Sequence, residues 1–170
     1  MLGIGGKELS EENAAQTAKA LNIIQPDFIR VHATGIKLES KLGEFVRDGS
    51  FTLQSEEEIV IEQKLFLQQL HEMDSYYVNE HIVNLLLEVR GNLRTEKQEM
   101  LSTIERFLTL PPDERLLFTV GRRLNIFFRL DDLKKPKLHQ KAGESLQQIL
   151  SKNPHVDFAA LCNYVRQSQI

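Results

Sequence analysis

Three polar side chains, Arg30, His32 and Thr34, lie at the end of a short aromatic and β-branched run, residues 28–32, that is typical of a strand. The run comes directly after a helical pattern, as a strand of a β-α-β unit does, so we expect it in a parallel sheet. Ligands bind at the carboxyl ends of such strands, which makes the three side chains candidate ligand contacts. The alternative is that Arg30 and His32 only face solvent, because they alternate with apolar residues.

A second polar group, Glu80, His81 and Asn84, follows a second predicted strand at residues 75–79. His81 and Asn84 are three positions apart, a spacing that places two side chains on the same side of a helix. These groups are therefore predicted to project into a substrate cavity. A histidine bonded within the fold, or a helix cap, remains the alternative for His81.

Gly5 and Gly6 follow the end of a third strand candidate at the start of the sequence. Because glycine has no side chain, these residues would let the backbone approach a ligand closely. The alternative is a turn that requires glycine. We predict no catalytic residue, and no metal site, because the five histidines are scattered without zinc-type spacing.

The remaining reactive or charged side chains favour structural roles. Cys162 is predicted to be a buried, small apolar residue rather than a nucleophile. Arg122 and Arg123 could clamp an anion, but without a glycine-rich phosphate cradle a surface ion pair is the preferred interpretation. Phe127 and Phe128 are predicted to lie in the core.

Composition excludes several classes of partner. The chain has 170 residues, with 21 Lys and Arg against 24 Asp and Glu, so its weak net field favours neither nucleic acid nor a membrane surface. Its longest apolar stretch, residues 82–87, is too short to cross a bilayer, and no signal-peptide pattern opens the sequence. A single cysteine agrees with a reducing compartment, so a cytoplasmic location is expected.

The elements that must position these residues are mostly helical. In the first part of the chain we predict a helix at residues 11–24, a short helix ended by Gly49, and a long helix that runs to Glu72 from a capping box of Ser55 and Glu58. The apolar stripe of the long helix should face the core, and its charged residues should face solvent; the stripe is Ile59, Phe66 and Leu70, and the charged residues are Glu57, Glu62 and Lys64.

Beyond Gly91 the pattern is helical only. A second capping box, Thr95 with Gln98, predicts a helix that ends before Pro111, and further helices are expected from Asp113, at residues 139–151 and at residues 158–167. We therefore predict an α/β, mostly helical fold with two or three short strands, parallel where they pair. Residues 1–94 would form a βα segment and residues 95–170 a helical extension, packed as one globular unit.

Several segments, in this order and spacing, resemble uncharacterised radical S-adenosylmethionine (radical SAM) proteins over about residues 1–133. The matching segments are residues 3–6, 14–22, 26–30, 80–86 and 121–123. The resemblance implies the carboxy-terminal half of a partial, TIM-like (βα)6 barrel. Enzymes of this family hold a [4Fe-4S] cluster on a three-cysteine loop after the first strand and cleave S-adenosylmethionine to a 5'-deoxyadenosyl radical.

The resemblance also implies roles for the two polar groups and the glycine turn. Gly5, Gly6, Arg30, His32 and Thr34 would contact the cofactor, since the strand at 28–32 resembles one that lines the adenosyl pocket. The group that follows the second strand would face the substrate.

The family chemistry does not carry over to this chain alone. A cluster needs three thiolates and the sequence has one cysteine, so no cofactor is expected here and the chain is predicted to be an inactive part of such an enzyme. The alternative function is a non-catalytic helical module that binds a protein partner. In either case we expect self-association, through the exposed strand edge at 28–32 or through helix faces.

Overall fold

A computed structural model describes residues 1–169 as an α/β, mostly helical fold, which confirms this part of the predicted fold class. The first part contains the helices α1 (Ser10–Ile24), α2 (Lys41–Arg47) and α3 (Glu56–Gln69) and the strands β1 (Phe28–Arg30), β2 (Tyr76–Val78) and β3 (Gly91–Asn92). The second part contains α4 (Lys97–Leu108), α5 (Pro112–Arg123), a 3₁₀ helix (Leu130–Lys134), α6 (Pro136–Lys152) and α7 (Phe158–Gln167).

The strands form a mixed sheet in the order β1-β2-β3. β1 and β2 pair in parallel, with Ile29 opposite Tyr77, as predicted. The expectation of parallel pairing is wrong for β3, which runs antiparallel to β2. The short connection between these two strands contains no crossover helix, and only an antiparallel neighbour can be reached in that way.

A third chain segment runs parallel to β1 and β2. Leu2 forms an isolated parallel bridge with Ala33, in which the Leu2 amide donates to His32 O and the Thr34 amide donates to Leu2 O. The segments that end at Leu2, β1 and β2 therefore point in the same direction. α1 follows the first and α3 comes between the other two, as in successive β-α-β units.

One face of the sheet packs on helices, while the other is open. Ile29 and Tyr77 are buried, and the Tyr77 hydroxyl accepts a hydrogen bond of 2.9 Å from Gln63 Nε2 of α3. Side chains alternate along a strand, so their neighbours project to the opposite face. On that face Phe28 is 70% exposed and Tyr76 39% exposed, and their rings lie 6.5 Å apart.

The capping box of α3 is confirmed. Ser55 Oγ accepts from the Glu58 amide, and the Glu58 carboxylate accepts from the Ser55 amide. The predicted stripe of Ile59, Phe66 and Leu70 is buried. The prediction for Glu62 is wrong: this side chain is fully buried, because it accepts hydrogen bonds from the Gly3 amide and Asn13 Nδ2.

The predicted capping box of α4 is also wrong. α4 begins at Lys97, and Thr95 belongs to the preceding turn. In that turn Asn92 Oδ1 accepts from the amides of Arg94 and Thr95, and no side chain caps the start of α4.

The carboxy-terminal helix α7 is hydrogen-bonded to the loop after β1. Asn163 of α7 bonds both the amide and the carbonyl of Ile36, at 2.8 and 2.9 Å, and Arg166 Nε donates to Thr34 O. The two predicted parts of the chain therefore share buried contacts. None of the helices within residues 1–169 is both long enough and apolar enough to cross a membrane.

Candidate functional site

The candidate site lies where the parallel segments end. We call this place the carboxyl edge and define it as residues 3–6, 31–34 and 79–84, which follow Leu2, β1 and β2 respectively. Loops at this end of parallel strands form the ligand sites of open α/β sheets and of barrels. All the residues singled out from the sequence as ligand contacts lie on it except Arg30, which is the last residue of β1.

A stacked pair of histidines is the main feature of the carboxyl edge. The rings of His32 and His81 have centroids 4.2 Å apart and an interplanar angle of 25°. Sequence placed them in separate groups, one towards a cofactor and one towards a substrate, and the structure brings the two groups together. His81 Nδ1 accepts a 3.4 Å hydrogen bond from the Val83 amide, which leaves Nε2 as the position of the proton in the neutral ring.

The surroundings of His32 disfavour its charged form. Burial lowers the pKa of His32 below its usual value, and the neighbouring basic groups His81, Arg30 and the amino terminus lower it further. At neutral pH the imidazole of His32 is therefore mostly uncharged. Arg30 is exposed and lies two residues before His32.

Asn84 fixes the position of His32. Its Oδ1 accepts from the Ala33 amide at 2.7 Å, and its Nδ2 donates to Val31 O at 2.9 Å, so it binds both chain neighbours of the histidine. Its own amide donates to His81 O at 2.9 Å. Residues 80–87 form turns rather than a helix, and the buried Asn84 side chain points to the backbone after β1. Asn84 thus positions both rings.

Two buried arginines of α5 hold the turn that carries His81. Arg122 Nη2 donates to Ile82 O and Asn84 O, and Arg123 Nη2 donates to Val83 O at 3.0 Å. The expectation of a surface ion pair is wrong, because both side chains are buried against this turn. Burial, reinforced by the charge of Arg123, lowers the pKa of Arg122 to about 10, so it remains a cation.

Arg123 also belongs to a buried ion network. Its guanidinium forms two hydrogen bonds with the Glu56 carboxylate, at 3.0 and 2.6 Å, and Arg166 of α7 bonds the same carboxylate. All three side chains are at most 4% exposed. The network connects α3, α5 and α7 directly behind the turn of residues 81–84.

The glycine turn and Thr34 have structural explanations. A Cβ on Gly5 would lie 2.9 Å from Leu9 O, and Gly6 has a positive φ of 63°. Both positions therefore require glycine for local packing. The Thr34 hydroxyl donates to Leu2 O at 2.8 Å, which closes the parallel bridge. These residues shape the carboxyl edge, while the histidine pair supplies its functional groups and Arg30 lies next to it at the end of β1.

Glu80 lies beside a cleft on the open side of the sheet. It is exposed, forms an ion pair with Arg90, and lines a cleft of about 460 Å³ together with Tyr76 and Phe128. Phe128 is 47% exposed, so the prediction that it lies in the core is wrong. Its neighbour Phe127 is fully buried and stacks on Phe118, as expected for a core residue.

The residues of this chain do not fit an iron-sulfur cluster. Such a cluster needs three thiolates, and Cys162 is the only cysteine in the sequence. It is buried on α7, where burial raises the pKa of its thiol to about 12. Within residues 1–169 no group of three or more His, Cys, Asp or Glu side chains is placed to hold a metal ion.

Comparison with known proteins supplies no relative: no family model matches the chain, and searches of curated proteins and of solved structures found no match.

Sequence reasoning named Asn84 as a substrate contact and did not foresee that it supports the histidine pair. Asn84 carried the available signal, since it is the one amide within an apolar stretch and a buried amide must find hydrogen-bond partners. Glu56 gave no comparable signal, because an acidic residue in the first turn of a helix is ordinarily exposed.

Proposed function

We propose that this chain forms the carboxy-terminal wall of a radical SAM-type partial barrel and contributes its carboxyl edge to the cofactor and substrate site. The observation that carries the proposal is the histidine pair, which joins the ends of two neighbouring parallel strands. Barrel enzymes place their active sites at this end of their strands. The proposal includes a cytoplasmic location, where radical chemistry is protected and a lone thiol stays reduced.

The open face of the sheet supports the same proposal. In a barrel, each strand presents alternate side chains to the helices and to the interior. Ile29 and Tyr77 face the helices here, whereas Phe28 and Tyr76 are exposed on the other face. Large exposed rings side by side are unusual for a finished surface, and further strands of a barrel would cover them.

The proposed role of this chain is to bind and orient ligands. The residues of this chain cannot carry out chemistry that depends on an iron-sulfur cluster, because the chain lacks the three thiolates that would bind the cluster. Arg30, His32 and His81 are the groups that would contact ligands, and Asn84 would keep both imidazoles in place.

A titration of the ¹⁵N-labelled chain with S-adenosylmethionine, followed by NMR, tests the proposal. Weak binding is expected, with amide shifts confined to the carboxyl edge, because the other half of the cofactor cradle would come from strands outside this chain. His32→Ala should abolish the shifts, whereas His155→Ala should leave them intact, since His155 is an exposed histidine on a turn outside the carboxyl edge. Equal shifts in both variants would contradict the proposal.

A second candidate is a non-catalytic module that associates with itself or with a protein partner. The specific observation is again the pair Phe28 and Tyr76, whose exposed rings lie on the open face of the sheet, with Phe28 on its edge strand β1. An uncovered edge strand can pair with a strand of another copy. Light scattering should then show a dimer that Phe28→Lys converts to a monomer. A strictly monomeric protein over a wide concentration range would argue against this candidate.

A further inference from the structure

Two imidazoles from separate elements stack at the carboxyl edge, and Arg30 precedes one of them by two residues. Arg30 comes from β1, His32 from the segment after it, and His81 from the turn after β2. The charged groups that act on His32 are His81, Arg30 and the amino terminus, and all of them are basic. Glu80, the acidic residue next to His81 in the sequence, forms an ion pair with Arg90.

The two imidazoles present their donors from a fixed frame. His81 uses Nδ1 to accept from Val83, so in the neutral ring the proton lies on Nε2. Asn84 holds the backbone on both sides of His32, and the Leu2 amide bonds His32 O. Groups that are held in place before binding lose little entropy when a ligand arrives.

We propose that Arg30, His32 and His81 bind an oxyanion, the carboxylate or phosphate group of a small-molecule substrate. A guanidinium and two imidazole N–H groups are suitable donors for such a group. This inference rests on the proposed role of the carboxyl edge as a ligand-binding edge. The new element is that the ligand carries a negative charge where the ligand contacts the ends of β1 and β2.

Binding of the anion and protonation of His32 should favour each other. An anion beside the ring offsets the repulsion from Arg30, His81 and the amino terminus, and so raises the pKa of His32. The same linkage makes anion binding tighter as the pH falls, by up to about tenfold for each unit by which the pKa rises.

Sulfate and acetate are suitable probes, because both keep their charge between pH 6 and pH 8. We expect a saturable shift of the imidazole ¹⁵N resonances of His32 and His81, with a smaller dissociation constant at pH 6 than at pH 8. Saturation with sulfate only would indicate a phosphate-type ligand, and saturation with acetate a carboxylate; either result supports the inference.

Two variants and two matched controls make the test specific. Arg30→Gln and His32→Gln should lose most of the binding, whereas Arg47→Gln and His155→Gln should retain it, since both control residues are exposed and lie outside the carboxyl edge. Arg30 is itself exposed, so its replacement should leave the fold intact. Shifts that do not saturate, or that are equal in all four variants, would overturn the inference.

The outcome is separable from that of the proposed function. Sulfate or acetate binding without any response to S-adenosylmethionine would support an oxyanion site while contradicting the radical SAM assignment. A response to S-adenosylmethionine that survives Arg30→Gln and His32→Gln would reject the oxyanion site.

Discussion

Replacing Glu56 with glutamine should be among the most damaging single changes in the chain. The Glu56 carboxylate accepts hydrogen bonds from Arg123 Nε, Arg123 Nη2 and Arg166 Nη1, and all three side chains are at most 4% exposed. A glutamine would keep the shape and one acceptor but remove the charge. Two buried guanidinium groups would then have no counterion.

The expected loss follows from measured cases of the same kind. Removing one partner of a buried ion pair costs about 3 to 5 kcal/mol, a large part of the roughly 5 to 15 kcal/mol by which a domain is stable. For a chain of this size, about 2 to 4 °C is lost per kcal/mol, so the midpoint should fall by roughly 6 to 20 °C. Circular dichroism during heating and urea denaturation measure both quantities.

Glu57→Gln is the matched control, one residue further along α3. Glu57 pairs with Arg115 at 3.1 Å, but its side chain is 44% exposed. Exposed pairs contribute about 0 to 1 kcal/mol, so this variant should stay close to the parent protein. A loss below about 1 kcal/mol for Glu56→Gln, or equal losses in the two variants, would refute the assignment of a buried network.

The buried ion network of Glu56, Arg123 and Arg166 also determines how the stability of the protein changes with acid pH. Burial raises the pKa of Glu56, but the charges of Arg123 and Arg166 outweigh burial, so the pKa lies below its ordinary value of 4.5. The folded-state pKa is thus depressed, and the stabilisation is present above the ordinary value and lost as the pH falls through the lower one. The difference in stability between the parent protein and Glu56→Gln should therefore narrow only in acid below pH 4.5.

Three other changes test separate parts of the structure. Asn84→Ala leaves the Ala33 amide and the Val31 carbonyl without partners, so the free energy of unfolding measured with urea should fall by about 2 to 4 kcal/mol. The same variant should shift the NMR resonances of the His32 ring. Unchanged resonances would mean that Asn84 does not position the ring. Ser55→Ala removes the cap of α3 and should cost about 0.5 to 2 kcal/mol, and an unchanged urea midpoint would contradict the cap. Anaerobic reconstitution of the chain alone with iron and sulfide should give no cluster absorbance and no 5'-deoxyadenosine, because one cysteine cannot supply three thiolates.

Local signals predicted much of the framework. The Ser55 and Glu58 capping box defines the start of α3, because its two hydrogen bonds connect residues three positions apart. The parallel pair of β1 and β2 followed from the alternation of helix and strand. Placing His32 and His81 after these strands was sufficient to put both on one edge of the sheet.

Contacts between distant segments could not be predicted in the same way. Glu62 appeared to be a solvent-exposed helix residue, yet its partners Gly3 and Asn13 come from the start of the chain. Similarly, nothing local shows that Arg122 and Arg123 point inward, because their acceptors are carbonyls of the turn at residues 82–84. Stacking of His32 on His81 depends on the strand register, which short-range patterns do not fix.

The most direct test of the central claim is the yield of 5'-deoxyadenosine when this chain is expressed together with the protein segment encoded directly upstream of it. The proposal predicts that the upstream segment carries a three-cysteine loop. The two parts together, reconstituted anaerobically with iron and sulfide, should then form 5'-deoxyadenosine from S-adenosylmethionine and reductant, and neither part should do so alone. No product from the combined parts, or product from this chain alone, would contradict the proposal.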